Sequence, residues 1–356
     1  MYIGVDTHKK AHTLVAVDEQ GRTHRIQTIP NTPEGWVVAL RMRRERGERA
    51  VWGIENSGSL GKGLAQFLVS QGESLVYEVS PQRTAQYRRR GRTQDKTDQA
   101  DALAIARLLV AESDVLPAVQ ADDASTELRI LSDHRDNLLA ERTRIINQLH
   151  AQMLQIDPGY RDRSGPLTNW RGVEYCLELD LPGADGVART RLRIVRQLAG
   201  QLVRLGEEIA EVTDLLGERV RESGTPLLEL AGVGKVVAAR LIGELGSTPR
   251  IRSAGALAAL AGIAPVEVSS GGRGGFRLNR GGNRKLNRAV HVIALSQRRC
   301  DARAKAYYEK KLAEGKTKRA AMRCLKRQLV NVIYRLLRQD NSGLGSVQAG
   351  AELAVA

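Results

Sequence analysis

The hydrophobic period of this chain changes near residue 122, and that change limits what it can fold into. Before it, short strand-type runs alternate with helix-type runs, the pattern of an α/β domain. "YIGVD" at 2–6, "HTLVAVD" at 12–18 and "THRIQTI" at 23–29 read as a meander, with a Gln20-Gly21 turn before the third strand. "NTPEGWVVALRMRRER" reads as a helix with Asn31 or Thr32 as cap and Pro33 in the first helical position. A strand "AVWGIE", a helix through "LGKGLAQFLVSQG" and a strand "SLVYEV" come next. An arginine-rich loop from Arg83 to Arg92 and a helix from about Thr97 to Val110 complete the segment.

After the change, Leu128, Leu131, Leu138, Ile145, Leu149, Met153 and Ile156 recur at helical spacing. A second amphipathic helix runs roughly from Ala188 to Arg221, and a Pro/Gly-containing turn region, Pro158 to Gly186, joins the two. Together they read as an antiparallel hairpin or coiled coil acting as an oligomerisation arm. Ordinary packing inside a globular unit is the plainer alternative. Near Pro226 the composition shifts again. "LLELAGVGKVVAARLIGELG" places Gly232-Val233-Gly234 between two short apolar runs, as in a helix-hairpin-helix whose turn amides hold a DNA phosphate. The expected domains are therefore 1–122 (α/β), 123–222 (helical arm) and 223–340 (mainly helical), with a frayed tail at 341–356.

Charge narrows the partners. The formal net charge is +15, and from Ser269 to Arg338 twenty Lys and Arg stand against Asp301, Glu309 and Glu314. So basic a block matches a polyanion, with nucleic acid the natural one. The three cysteines, Cys176, Cys300 and Cys324, are far apart and form neither a disulfide framework nor a zinc pattern. Each reads as buried structure in a reducing cytoplasm. No apolar run is long enough for a membrane span, and the N-terminus reads as a strand and not as a signal peptide.

Four acids carry the candidate chemistry. Asp6 and Glu55 each close a strand, and Asp98 and Asp101 share one helix face in "KTDQADALAIA". Carboxylates grouped without cations repel unless a divalent ion lies between them, and all-oxygen donors suit Mg²⁺ or Mn²⁺. Two such ions can clamp the attacking and leaving oxygens of a phosphodiester. Singly, Asp6 also reads as a strand end, and Asp98 as a helix cap with Asp101 in the first turn. Asp18, Glu78 and above all Asp95 are rivals for a metal position. At the other end of the chain, "VSSGGRGG" sets Ser269 and Ser270 before a run of glycines. On its own it reads as a flexible turn. His291, within an apolar helix, reads as core and not as a base for these hydroxyls.

"IGVDTHK", "GIENSG" and "KTDQADALAIARLL" resemble the Asp-Glu-Asp-Asp signature of the insertion-sequence-110 family of transposases. "GVGKVVAARLIGELG" and "ALAALAGIAPVEVSSGGRGGFRLNRGGNRKLNRAVHVIA" resemble that family's C-terminal domain, so the resemblance spans about residues 1–340. It implies a RuvC-like (ribonuclease-H-like) first domain, a coiled-coil segment and a C-terminal transposase domain. It implies a catalytic set of Asp6, Glu55, Asp98 and Asp101 holding Mg²⁺, and a serine that forms a covalent phosphoserine with DNA. By position that serine is Ser270, with Ser269 as runner-up. It further implies donor and target DNA, a noncoding guide (bridge) RNA pairing with both, and a homodimer assembling into a tetramer at the bacterial nucleoid. The composite site would form within one chain or between protomers. Nucleic-acid contacts are expected from Arg83, Arg88, Arg89, Arg90 and Arg92, from Gly232, Gly234 and Lys235, and from Arg273, Arg277, Arg280, Arg284, Lys285 and Arg288. A structure-selective nuclease of the Holliday-junction resolvase kind, using the acids alone, and a non-catalytic nucleic-acid-binding protein are the competing readings.

Overall fold

The computed structural model describes residues 1–44, 49–89, 97–246, 251–270, 273–279 and 281–340, with 267–270 and 273–278 described by their backbone. The chain divides into two compact units, Met1–Asp122 and Asp123–Ala356.

The first unit is a five-stranded sheet flanked by helices. Its elements are β1 (Tyr2–Thr7), β2 (Ala11–Val17), β3 (Thr23–Pro30), α1 (Pro33–Arg44), β4 (Val51–Glu55), α2 (Lys62–Ser70), β5 (Val76–Val79), α3 (Pro81–Arg89) and α4 (Asp98–Glu112). The sheet order is β3-β2-β1-β4-β5. β1, β2 and β3 pair antiparallel, whereas β1 pairs β4, and β4 pairs β5, in parallel. That order, a meander followed by parallel crossovers, is the arrangement expected of the α/β domain. Strand alternation then sorts the faces. Ile3, Val5, Leu14, Ala16, Trp52 and Ile54 pack with Leu40, Leu64 and Leu68 of α1 and α2. The other face receives α4, whose Ala102 and Ala106 pack with Val15 and Val17.

Local signals set the helix starts. Thr32 Oγ1 accepts the Gly35 amide at 3.4 Å, so Thr32 caps α1, and Thr97 Oγ1 accepts the Ala100 amide at 3.1 Å at the head of α4. The expected loop from Arg83 to Arg92 is a helix, α3, as far as Arg89. Pro81 suits the first helical position, and the Arg83 and Thr84 amides bond back to the Ser80 carbonyl. Arg90, Arg92 and Asp95 lie outside the described residues.

The second unit is mainly helical. It comprises α5 (Ala124–Ile156), α6 (Tyr160–Ser164), α7 (Trp170–Glu178), α8 (Gly186–Glu222), α9 (Lys235–Leu245), α10 (Ala254–Leu260), β6 (Pro265–Ser270), β7 (Arg273–Leu278), α11 (Arg284–Cys300), α12 (Ala302–Ala313) and α13 (Lys318–Asp340). α5 and α8, of 33 and 37 residues, are each roughly 50 Å long. They run antiparallel: Arg191 at the start of α8 donates to Gln152 near the end of α5, and Arg219 near the end of α8 pairs with Glu127 in the first turn of α5. The region between them is no bare turn. α6 and α7 form there, because Tyr160, Val173 and Cys176 cover the apolar stripe of Leu149, Met153, Leu192 and Val195. At their other ends, Leu128, Leu216 and Val220 join the core built by α9, α11 and α13.

Three expectations need correction. The run before Gly232 is a single 3-10 turn, Pro226–Glu229, because Leu230 is already extended, so only α9 of the anticipated helix pair forms. Within "VSSGGRGG" the serines are strand residues: Ser269 pairs with Gly274, and Ser270 with Arg273, in the β6–β7 ribbon, and Gly271 and Gly272 lie outside the described residues. Cys176 is buried, but Cys324 is half-buried and Cys300, at the end of α11, is exposed. No helix among the described residues is long and apolar enough to cross a membrane.

The fit of α4 on the sheet leaves no room at Gly4. A Cβ there would stand 2.1 Å from the Ala102 carbonyl oxygen and 2.4 Å from the Ala106 nitrogen, both rigid backbone. Gly4→Ala is expected to cost about 3 kcal/mol by forcing α4 off the sheet. A loss of cooperative thermal unfolding, or a fall in melting temperature, checks it.

Candidate active site

Gly4 and Gly53 are register partners in β1 and β4, and the acids follow two positions later on each strand, at Asp6 and Glu55. Two positions on a strand return to the same face. Asp6 and Glu55 thus occupy the α4 side of the sheet, at the strand ends. α4 crosses Gly4 with Ala102 and Ala106, and Gly53 with Ile105 and Leu109. Its first turn, with Asp98 and Asp101, therefore lies over the acidic ends of the strands.

The ends are held by main-chain geometry. Thr7 Oγ1 donates to the Glu55 carbonyl at 2.9 Å, tying β1 to β4. Asn56 then turns the chain with φ of 51°, in the left-handed region that Asn tolerates, and its carbonyl accepts the Ser59 and Gly61 amides.

The four carboxylates form one electrostatic group. Asp6 is only 5% exposed. Its pKa is raised to about 6, chiefly by burial; the His8 charge opposes the shift, and Glu55, Asp101 and Asp98 add to it. Two cations temper the repulsion, His8 and Arg88, the latter engaged by Asp101 and not turned to nucleic acid as expected. His8 Nε2 stands 3.2 Å from Asp6 Oδ2 and 3.1 Å from Asp98 Oδ1. Burial pulls its pKa down, but Asp6 and Asp98 outweigh that and hold it above the usual value. Arg88 of α3 pairs with Asp101, both largely buried. The acids are thus not free of cations, as their spacing suggested. The only signal for His8 was its place two residues after Asp6, and nothing in the chain order indicated that α3 would bring Arg88 to α4.

Asp6, His8 and Asp98 place ligand atoms close enough to share an ion. With Glu55 and Asp101 beside them, the carboxylates offer an oxygen donor set that fits a hard divalent cation such as Mg²⁺ or Mn²⁺, while His8 Nε2 is engaged by Asp6 and Asp98. The rivals fall away where they are described. Asp18 accepts the Gln20 and Arg22 amides at 2.9 and 2.8 Å as a turn residue, and Glu78 is the register partner of Ile54, on the face of the sheet opposite Glu55. Asp98 is not a cap, since Thr97 fills that place.

In the second unit, the two candidate serines lie on β6. Ser270 is its last residue and Ser269 the one before, so they occupy alternate faces of the ribbon. Arg273 and Arg277 lie on β7, and Arg280 lies outside the described residues. Asn283 caps α11 through the Lys285 and Leu286 amides, leaving Arg284 and Arg288 exposed one turn apart. His291, further along α11, is half-buried, and burial lowers its pKa with help from Lys326.

Several expected nucleic-acid contacts are already engaged inside the protein. Lys285 Nζ lies 2.6 Å from Asp133 and 3.6 Å from Glu244, beside the buried Arg240, which pairs with Asp133, Asp136 and Glu244. Lys235 pairs with Asp214 at 2.8 Å. Arg83 pairs with Glu112 at 3.4 Å, while Arg89 is exposed. Gly232 has φ of 86°, and a Cβ there would meet Ser296 at 2.8 Å, so turn and packing require it. Gly234, the cap of α9, has open space around it.

The raised pKa of Asp6 has a testable sign. An acid with a folded pKa above its unfolded value stabilises the fold only while protonated, and that contribution is lost as pH rises from about 4 to about 6. Asp6→Asn, measured with a chelator present, is expected to raise the melting temperature at pH 8, on the order of 1 kcal/mol. The gain should shrink to nothing near pH 4.

Comparison with known proteins gives the family. A family model for IS110-type transposases with the Asp-Glu-Asp-Asp set, described as Transposase, matches residues 3–158. A second, described as Transposase IS116/IS110/IS902 family, matches residues 224–309. The insertion element IS116 uncharacterized 44.8 kDa protein of Streptomyces clavuligerus is 29% identical, over 95% of this chain and 94% of its own length. The insertion element IS900 uncharacterized 42 kDa protein of Mycobacterium paratuberculosis is 27% identical, over 95% of this chain and 96% of its own. Among solved structures, T. thermophilus RuvC in complex with Holliday junction substrate is similar at 16% identity and a TM-score of 0.26, covering 33% of this chain and 98% of that one. With both its α/β unit and its helical unit matched in order, this chain belongs to the IS110/IS116/IS902 family of insertion-element transposases.

Proposed function

We propose that this protein is a DNA recombinase that cuts and rejoins strands through a phosphoserine intermediate, with Ser270 as nucleophile and Asp6, Glu55, Asp98 and Asp101 as a Mg²⁺-dependent acidic site. The observation that carries the reading is the convergence of all four acids on the buried Asp6 carboxyl. An acid raised to about pH 6 by burial, with Glu55, Asp101 and Asp98 adding to the shift, is a site prepared for positive charge.

In this reading Ser270 Oγ attacks a DNA phosphorus and loses its proton. An O–P bond forms to the serine, and the bond from phosphorus to a deoxyribose oxygen breaks, freeing a hydroxyl end. Rejoining reverses the exchange, with a hydroxyl end from another strand displacing Ser270. The serine is a weak nucleophile by itself and requires activation. A divalent ion, when bound by the acids, supplies charge neutralisation of the phosphate and lowers the pKa of coordinated oxygens. Asp6, Glu55, Asp98 and Asp101 would provide its oxygen ligands, with His8 bridging Asp6 and Asp98 and Arg88 orienting Asp101. Exposed arginines such as Arg284 and Arg288 hold strand phosphates electrostatically. Guidance by a noncoding RNA and assembly of dimers into a tetramer belong to the same reading. The basic C-terminal block supports the first, because phosphate recognition suits DNA and RNA alike.

Trapping of a protein–DNA covalent adduct on denaturing gels tests the assignment. Wild type and Ser269→Ala should form it, and Ser270→Ala should reduce it by about a thousandfold or more. Asp6→Ala should abolish strand exchange. An adduct that persists in Ser270→Ala sinks the nucleophile assignment. Cleavage that survives Ser270→Ala but not Asp6→Ala indicates a nuclease that uses the acids alone, and indifference to both indicates a binding protein.

A further inference from the structure

A cavity of about 440 Å³ opens in the second unit between the foot of β6 and the helices α12 and α13. Its size falls within the range of small-molecule sites. Its walls are of two kinds. Ile263, Ala264 and Pro265 from the approach to β6, with Ala320 of α13, give an apolar floor. Tyr307 of α12 adds an aromatic ring, half-buried, with the Lys311 ammonium 5.4 Å from its centroid.

Lys316, Arg323 and Arg327 stand around this floor, and among the described residues no Asp or Glu lines the cavity. Glu314 opposes part of this rim: its carboxylate is 3.9 Å from Lys316 and engages Lys311 at 2.9 Å. Arg327 is oriented by Asn331, whereas Arg323 is exposed. Gln328 contributes an amide whose oxygen also accepts from Asn331 Nδ2 at 3.3 Å. An apolar slot with one aromatic wall, an amide for polar edges and a cationic rim is complementary to a planar base carrying a phosphate. Duplex DNA offers the phosphate but keeps its bases stacked, and so leaves the floor unfilled.

We propose that this cavity takes one unpaired nucleotide of a nucleic-acid strand, its base against Tyr307 and the apolar floor and its phosphate on Lys316 and Arg323. The site needs neither Ser270 nor the acidic group. It shares with the proposed function only the class of ligand. Because the cavity begins at Pro265, the first residue of the strand that ends at Ser270, an occupied cavity anchors a strand beside the ribbon.

Cys324 lines the cavity and reports on it directly. In the full chain carrying Cys300→Ser, Cys324 is the one cysteine that is not buried, since Cys176 is enclosed. Its rate of modification by N-ethylmaleimide is measured with a chelator present, so that no strand cleavage enters. Saturating oligothymidylate or oligouridylate should slow modification about tenfold, and a blunt duplex of equal affinity should not. Whichever single strand protects identifies DNA or RNA as the source. Arg323→Ala, at an exposed position that leaves the core intact, should weaken single-strand binding by up to about tenfold, while duplex binding changes less than about twofold. Tyr307→Ala should do the same. Unprotected Cys324 under bound single strand, or equal protection by duplex, overturns the proposal. Either result is independent of adduct formation by Ser270.

Discussion

Everything in the first unit depends on how closely α4 lies on the sheet. At Gly4 and Gly53 the helix approaches until a methyl group would collide with its backbone or with Ile105 and Leu109. Two positions further along each strand stand Asp6 and Glu55, and one turn back along the helix stand Asp98 and Asp101. The same contact that seals the apolar face therefore sets the acids together. Close packing here fixes the spacing of charged groups.

That spacing costs stability in the absence of a bound cation. Asp6 is enclosed and surrounded by like charge, and its raised pKa measures the strain. The protein relieves it partially, with His8 bridging Asp6 and Asp98 and Arg88 on Asp101. Each of these contacts engages one oxygen of its carboxylate. The opposite arrangement appears in the second unit, where Arg240 is buried and saturated by Asp133, Asp136, Glu244 and the Ser132 carbonyl. A fully paired buried cation belongs to the framework, whereas a partly paired acidic group belongs to a site. The basic block of the C-terminal region therefore overstates the charge offered to a polyanion, since Lys285 is drawn into that framework.

Much of the fold was legible because it is written locally. The strands at 2–7, 11–17 and 23–30, the helix beginning at Pro33 and the long helices at 124–156 and 186–222 follow from period and capping, which involve residues near one another. The Gly-x-Asp and Gly-x-Glu triplets at 4–6 and 53–55 carried the site as well, once each was seen as a helix contact followed by an acid. Where the reading failed, the deciding interaction was distant. α6 and α7 form in an expected turn because a long apolar stripe needed cover, and Ser269 and Ser270 become strand residues because Arg273–Leu278 pairs with Pro265–Ser270.

By itself the sequence determined the order of elements, the placement of acids at strand and helix ends, and the family, since these rest on periodicity, caps and short motifs. The tertiary structure alone decided which charges meet. It spent Arg88, Lys235 and Lys285 on internal carboxylates, left Arg284 and Arg288 in solvent, and brought His8 to the acids. Whether a charge is free or paired depends on separations of a few ångströms between segments many residues apart, and no local pattern encodes that distance.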